Sequence, residues 1–306
     1  MQKIAHRIDA PLQTRSLERP RPKPALALRP TQLSVTRIEQ LRRDPYAIYA
    51  EFILNLKPLA LLGATWGARE IGTFLHAAIS HFIHLYPTQP LSEKMASALI
   101  EIARAQLDEF FEDPEFEGFT WRRIVAGLHY FIQFEGARRA QGVKIFQEIK
   151  GQWRLSLHDD SSFLITAQAD RIEVDATQKA YVFDYKTGRV PTNAQVKAGW
   201  SPQLTLEAAM IEAGAFSEVG AKVVHGAAYV GLKGEGKTQW LEWRGEATFQ
   251  DVVARHREDV RQLLSQFRDQ DTPYLSRPYV FLRSDSGDYD YLARVPEWSR
   301  SGGDEP

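Results

Sequence analysis

Two carboxylates and one ammonium carry the first chemical signal of this chain: Asp170, Asp184 and Lys186. They lie in FLITAQADRIEVDATQKAYVFDYKTG, where two strand-like runs flank a polar turn centred near Thr177. Such a pattern reads as a β-hairpin. With the hairpin symmetric about Thr177, Asp170 faces Asp184 and Gln168 faces Lys186. Directly opposed residues share a face, with β-carbons about 5 Å apart. Side chains alternate along a strand, so Lys186 shares that face with Asp184. Like charges placed opposite each other destabilise a sheet. A cation between them removes the conflict, and hard ions such as Mg²⁺ and Mn²⁺ prefer oxygen ligands of this kind. The same residues also fit a plain strand end, with both aspartates solvated and Lys186 paired to one of them. The register carries a cost as well. It places Arg171 and Glu173 on the face of Tyr181 and Phe183, and a slip of one residue would undo the opposition of the two aspartates.

The elements around this hairpin follow from apolar periodicity. Residues 1–30 hold Pro11, Pro20, Pro22, Pro24 and Pro30 among basic residues and read as an extended linker. Residues 31–298 read as one domain, largely helical over 31–141 and sheet-containing over 142–298. Ser34 or Thr36 is a cap candidate for a first helix, which Pro45 should break in two. Further helices are predicted at 69–86, 91–113 and 119–141. Strands are predicted at 143–150, 152–158, 163–175 and 181–185, with a turn at Gly151. A helix over 201–213, strands over 222–231 and 238–243, and a helix over 248–268 complete the pattern. Residues 299–306 read as a disordered tail. The fold class is therefore α/β, a mixed central sheet flanked by helices, with an N-terminal helical portion.

Composition narrows the chemistry. The 306 residues include no cysteine, which removes disulfides, thiolate metal sites and iron–sulfur clusters. A formal net charge of −1 announces no polyanionic partner by itself. No apolar run is long enough to span a bilayer, and the first residues lack an apolar signal core. A cytoplasmic protein without a membrane partner is expected.

The ordered motifs resemble the RecB-type PD-(D/E)xK nucleases. Ala169-Asp170-Arg171-Ile172 followed by Phe183-Asp184-Tyr185-Lys186-Thr187-Gly188 is similar to their metal-binding core. Gly72-Thr73-Phe74-Leu75-His76 resembles their helical Gly-x-x-x-His element, Gln147-Glu148 their acidic residue, and Ser201-Pro202-Gln203-Leu204 their glutamine motif. Within that group the chain looks most like the C-terminal nuclease domains of the AddB family, in their alphaproteobacterial form. Leu33-Ser34-Val35-Thr36, Asp44-Pro45-Tyr46-Ala47-Ile48-Tyr49-Ala50 and Gly287-Asp288-Tyr289-Asp290 extend that likeness across most of 31–298.

The resemblance implies a restriction-endonuclease-like core and metal-dependent, exonuclease-like hydrolysis of DNA, with a single-stranded end as substrate. It implies Mg²⁺ or Mn²⁺ held by His76, Asp170, Asp184 and the main-chain carbonyl of Tyr185, with Glu148 acting through water or a second ion. Lys186 would orient the attacking water, and Gln203 would position the lysine or the phosphate. An AddA-type helicase–nuclease subunit would be the partner in double-strand-break repair, and this chain would be the C-terminal piece or a truncated homologue. Two departures stand out. Asp44 occupies the place of the first of four cluster cysteines, so local packing must replace an iron–sulfur cluster. Glu207 stands where the glutamine motif often carries tyrosine. A rival reading keeps the fold as a catalytically silent module for DNA binding or subunit docking.

Three further patterns point elsewhere. Gly231 to Thr238 fits the P-loop expression, but a strand-like segment follows where a helix is required, which describes a hairpin. His76, His81 and His84 do not form the zinc-protease motif. Trp66, Trp121, Trp153, Trp200, Trp240 and Trp243 could stack bases, though packing explains most of them.

Overall fold

The structure, a computed structural model, describes residues 18–57, 68–243, 245, 247–279 and 287–299. The chain divides into two compact units. One comprises Thr31–Glu39 and Leu59–Gln266, and it contains the sheet. The other comprises Met1–Pro30, Gln40–Pro58 and Phe267–Pro306.

Among the described residues six strands form one mixed sheet: β1 (Gln32–Ser34), β2 (Lys144–Ser156), β3 (Ser162–Val174), β4 (Ala180–Lys186), β5 (Val224–Gly231) and β6 (Lys237–Trp240). β2 pairs antiparallel along the whole of β3. The other edge of β3 is shared: β1 runs parallel to Leu164–Thr166, and β4 runs antiparallel to Arg171–Val174. Between these two pairings, residues 167–170 have no strand on that edge among the described residues. Asp170 sits at the inner end of this split. The register of β3 with β4 is the one expected from symmetry about Thr177, with Arg171 against Phe183 and Val174 against Ala180. Asp175 fixes it, because its Oδ1 accepts from the backbone N–H groups of Thr177 and Lys179 and from the Thr177 hydroxyl. β4 continues parallel to β5, and β5 turns antiparallel into β6. A strand therefore follows the P-loop-like sequence, and the nucleotide-binding alternative falls for want of a helix N-terminus.

Strand boundaries differ from expectation at two places: β6 stops at Trp240 instead of reaching 243, and the break predicted at Gly151 is absent. Gly151 is not a turn; β2 runs through it, paired with Ala167. A β-carbon there would meet the Phe216 ring at 2.6 Å, so close approach of an aromatic ring demands the glycine.

α1 (Val35–Arg43) begins at Ser34, whose hydroxyl accepts from the backbone N–H of Arg37. Pro45 then starts α2 (Pro45–Ile48), followed by a π-helical turn over Tyr49–Ile53. α3 (Ala68–Leu85), α4 (Glu93–Gln106) and α5 (Arg122–Arg139) pack together through Leu75, Phe82, Leu99 and Phe131, and against Phe183, Tyr185 and Val230 of the sheet. Each such fully buried side chain contributes roughly 1.5–3 kcal/mol. Opposite them, α6 (Asn193–Lys197) leads to α7 (Gln203–Glu212), which lies on β4 and β5 and is backed by α8 (Phe249–Gln266). α7 is buried along most of its length, from Leu204 to Ile211.

In the smaller unit the described part of the proline-rich stretch, residues 18–30, has no helix or strand apart from a 3₁₀ turn at Leu26–Leu28. Arg29 is buried and donates to the carbonyls of Pro24, Phe267, Asp269 and Gln270. Asp44 accepts from the backbone N–H of Arg277, whose guanidinium grips Asp290 at 2.8 and 3.0 Å. This is the packing found where the cysteine pattern is missing. A short helix α9 (Val295–Ser299) follows. Residues 1–17 of the expected linker, 300–306 of the expected tail, and Trp66 lie outside the described residues. Trp121 and Trp153 are buried. No helix among the described residues is long and apolar enough to cross a membrane.

Candidate active site

The split edge of β3 opens into a cleft of about 1150 Å³. One wall is the face of α3 carrying Gly72, His76, Ser80 and His84, residues one helical turn apart. Gly72 brings this helix close to the end of β4, since a β-carbon there would sit 2.9 Å from the Thr187 hydroxyl. One turn later His76 reaches the sheet. Its Nε2 lies 2.8 Å from the main-chain carbonyl of Tyr185, and its Nδ1 lies 3.4 Å from Asp170 Oδ1. Burial works against a charge on this ring, but the hydrogen bond and charge of Asp170, with the charge of Asp184, outweigh it and hold the pKa up at about 9.

Asp170 also accepts the backbone N–H of Tyr185 at 2.8 Å. The β3–β4 ladder ends one pair short of Asp170 and Asp184, so this side chain takes a donor that a strand carbonyl would otherwise hold. Glu148 approaches from β2. Its backbone is left-handed, with φ of 48°, inside a strand whose pairing is regular on either side, Gln147 with Arg171 and Ile149 with Ala169. Few non-glycine residues adopt this conformation, and it stores strain where it occurs. Burial raises the Glu148 carboxyl above its usual range, and Gln168 donates to it at 2.6 Å. Ligand atoms of His76, Glu148 and Asp170 all lie within 4.8 Å of one another.

Asp184 is not in that set. Its buried carboxylate is engaged by Lys186 Nζ at 2.8 and 3.0 Å and by Gln203 Nε2 at 2.6 Å. Burial raises its pKa, against the opposing pull of Lys186. Gln203 Oε1 accepts from Lys186 at 3.2 Å, and the ammonium also lies 5.7 Å from the centre of the Tyr229 ring. Lys186 stays charged: burial disfavours its charge, but Asp184 and Asp170 raise its pKa overall. The site therefore has two neighbouring parts, a His76–Glu148–Asp170 group and an Asp184–Lys186–Gln203 group, joined through consecutive residues of β4.

Two expected cross-strand pairs are absent: the ladder stops before Asp170 would pair with Asp184. Gln168 does not face Lys186, because the ladder with β4 stops at Arg171; it pairs with Lys150 of β2 and serves Glu148 instead. Two buried groups went unassigned in the sequence. Glu207 lies one turn beyond Gln203 and receives a 3.2 Å hydrogen bond from it, while burial pushes its carboxyl well above the usual range. Tyr229 is fully buried beside Lys186. The i, i+4 spacing of Gln203 and Glu207 was the available signal for the first; Tyr229 carries none.

The donors suit a hard divalent cation: carboxylates, a carbonyl and one imidazole converge, and no sulfur is present. Residues 32–279 match the sequence pattern of the PD-(D/E)XK nuclease superfamily. The chain belongs to that superfamily. Membership implies a phosphodiester hydrolase that uses divalent metal. Relatives include an uncharacterized protein of Rickettsia felis, 31% identical over 227 residues, covering 73% of this chain and 26% of that protein. Another, from Rickettsia bellii, is 34% identical over 183 residues, covering 60% of this chain and 22% of its own length. The chain thus spans about a quarter of these rickettsial relatives. A crystal structure of SSO0001 aligns with 86% of this chain and 85% of its own at 12% identity, with a TM-score of 0.36. The PD-(D/E)XK core accounts for the mixed sheet flanked by helices.

Proposed function

We propose that the chain hydrolyses DNA phosphodiester bonds with Mg²⁺ or Mn²⁺, as the nuclease part of an AddAB-type helicase–nuclease acting in double-strand-break repair. The observation that carries this reading is the convergence of His76, Glu148 and Asp170 beside an Asp184–Lys186 pair at the open edge of β3. In this reading His76, Asp170, Asp184 and the Tyr185 carbonyl hold the metal, and Glu148 supports it. A bound divalent ion lowers the pKa of water and polarises the scissile phosphate. Lys186 supplies a fixed positive charge toward the phosphate as negative charge builds on it. Asp184 and Gln203 hold that ammonium in place. The cleft beside α3 offers a path for a single strand, with His81 and His84 along its wall. An AddA-type subunit is the proposed partner.

A single-stranded oligonucleotide incubated with Mg²⁺ or Mn²⁺ tests the chemistry, with Asp184→Ala alongside. Metal-dependent cleavage by the parent and loss by at least about 10²-fold in the variant are expected, the scale of losing one charge-stabilising group. Equal cleavage by both would remove Asp184 from the site. Metal and DNA binding without cleavage would favour the silent docking module.

A further inference from the structure

We infer that Glu207 is a positioning residue of this site: its carboxyl oxygen fixes the orientation of the Gln203 amide, and through it the placement of Lys186 and Asp184. The inference rests on the nuclease reading given above.

The Gln203 amide has two N–H donors on one side and a carbonyl oxygen on the other. Its Nε2 donates to Asp184 Oδ1 at 2.6 Å and to Glu207 Oε1 at 3.2 Å, while its Oε1 accepts from Lys186 at 3.2 Å. All the donor and acceptor directions agree. Rotating the amide by half a turn would aim its oxygen at the Asp184 carboxylate and its NH₂ at the Lys186 ammonium. Asp184 alone occupies one of the two N–H groups and is itself shared with Lys186. Glu207 occupies the other, so the amide loses its freedom to flip or to swing toward a second acceptor.

Glu207 has no other evident employment. It is 2% exposed in the middle of α7, flanked by Leu206 and Ala208, which are fully buried. Its Oε2 has no hydrogen-bond partner among the described residues. A buried, half-satisfied carboxyl in the centre of an apolar helix is destabilising, and an alanine or leucine would fill the place with less penalty. Its hydrogen bond goes to the residue that bridges the lysine and the buried aspartate. An acceptor at this point, rather than a charge, is what the geometry uses. Glutamine would supply it; leucine would not.

Glu207→Leu and Glu207→Gln of the full chain separate the possibilities. Activity on a single-stranded oligonucleotide with Mn²⁺ should fall about tenfold in kcat for Glu207→Leu, the effect of one hydrogen bond, with KM unchanged. Glu207→Gln should recover most of that loss. An unchanged kcat in Glu207→Leu, or an equal fall in both variants, overturns the inference. A second measurement is independent of turnover. The side-chain NH₂ of Gln203, assigned by its disappearance in Gln203→Ala, should show one proton shifted in Glu207→Leu and restored in Glu207→Gln. If neither proton moves, the amide is not held by Glu207, whatever the activity. If the protons move as expected while the parent cleaves no nucleic acid, the nuclease reading fails and the positioning geometry stands.

Discussion

Glu148 offers a quantitative test of whether this site is built against the stability of the fold. Its φ of 48° lies within β2, where the ladder to β3 is regular on either side. The left-handed region costs an L-residue about 1–2 kcal/mol, and glycine enters it freely. Glycine in turn loses about 0.4–1 kcal/mol through greater freedom of the unfolded chain. Replacing Glu148 by glycine or by alanine removes the same carboxylate, the same hydrogen bond from Gln168 and the same charge beside Asp170 and His76. The difference between the two variants is then the backbone contribution alone. Glu148→Gly should be more stable than Glu148→Ala by about 0.5–1 kcal/mol. At an ordinary strand position the sign is reversed, with alanine ahead of glycine by about 0.5–1 kcal/mol. Lys150, exposed two residues further along β2 and paired with Gln168, supplies that control. Urea unfolding of the glycine and alanine variants at both positions measures it, and in thermal melts the Glu148 difference corresponds to about 1–4 °C. Both Glu148 variants should lose metal-dependent cleavage. If Glu148→Ala proved at least as stable as Glu148→Gly, no strain would be stored there.

Other perturbations have clear directions. Gly127→Ala should cost about 2–3 kcal/mol in chemical unfolding, because the new β-carbon would lie 1.9 Å from the Leu232 carbonyl oxygen; Gly118→Ala, with nothing within 4 Å, should be nearly neutral. Arg171→Met should destabilise by about 3–5 kcal/mol, since it strips a guanidinium from two fully buried carboxylates, Glu135 and Glu173. A loss under about 1 kcal/mol would contradict that. Metal uptake should release protons. His76 keeps its proton below a pKa of about 9, and a ligand must be deprotonated, so Mn²⁺ affinity should rise with pH from about 6.5 toward 9. Calorimetry in two buffers of different ionisation enthalpy reads the release, and a flat affinity over that range would exclude His76 as a ligand.

What the sequence revealed depended on whether the signal was local. The β3–β4 register was legible because Asp175 and Thr177 build the turn that sets it. Gly72 and His76 were legible through the resemblance to the nuclease family, whose helical motif keeps such a pair one turn apart. The division of the β3 edge was not, because β1 is three residues long and its partner lies about 130 positions away. That division is what leaves the β3 edge beside Asp170 without a strand among the described residues. Nor does any residue pattern near Glu148 announce a left-handed backbone. The pairing of Asp184 with Lys186, rather than with Asp170 across the hairpin, reflects Gln203 arriving from a separate helix. Gly151 was misread because a glycine in a strand serves a turn and a close ring contact equally well.

The apparent flaw of the register turns out to be its lock. The register that pairs Arg171 with Phe183 and Glu173 with Tyr181 sends Arg171 and Glu173 inward, where both are fully buried. They do not lie unpaired. Glu135 of α5 meets Arg171 and, at 2.7 Å, Arg139; Arg138 of the same helix grips Glu173, which also holds Arg171 at 2.6 Å. Arg138 lies 5.2 Å from the Phe183 ring centre, and Arg171 reaches the Tyr185 hydroxyl at 3.4 Å. Sliding β3 by one residue would turn Arg171 and Glu173 to the opposite face and leave Glu135 and Arg138 buried without these partners. Removing one side of a buried pair costs several kcal/mol, far more than an apolar strand would lose by the same slip. A buried ion cluster need not add net stability to do this; it only has to make the alternative register worse. The same hairpin then carries Tyr185 with its ring in the core and its carbonyl facing His76, so the device that fixes the register also fixes the geometry of the site.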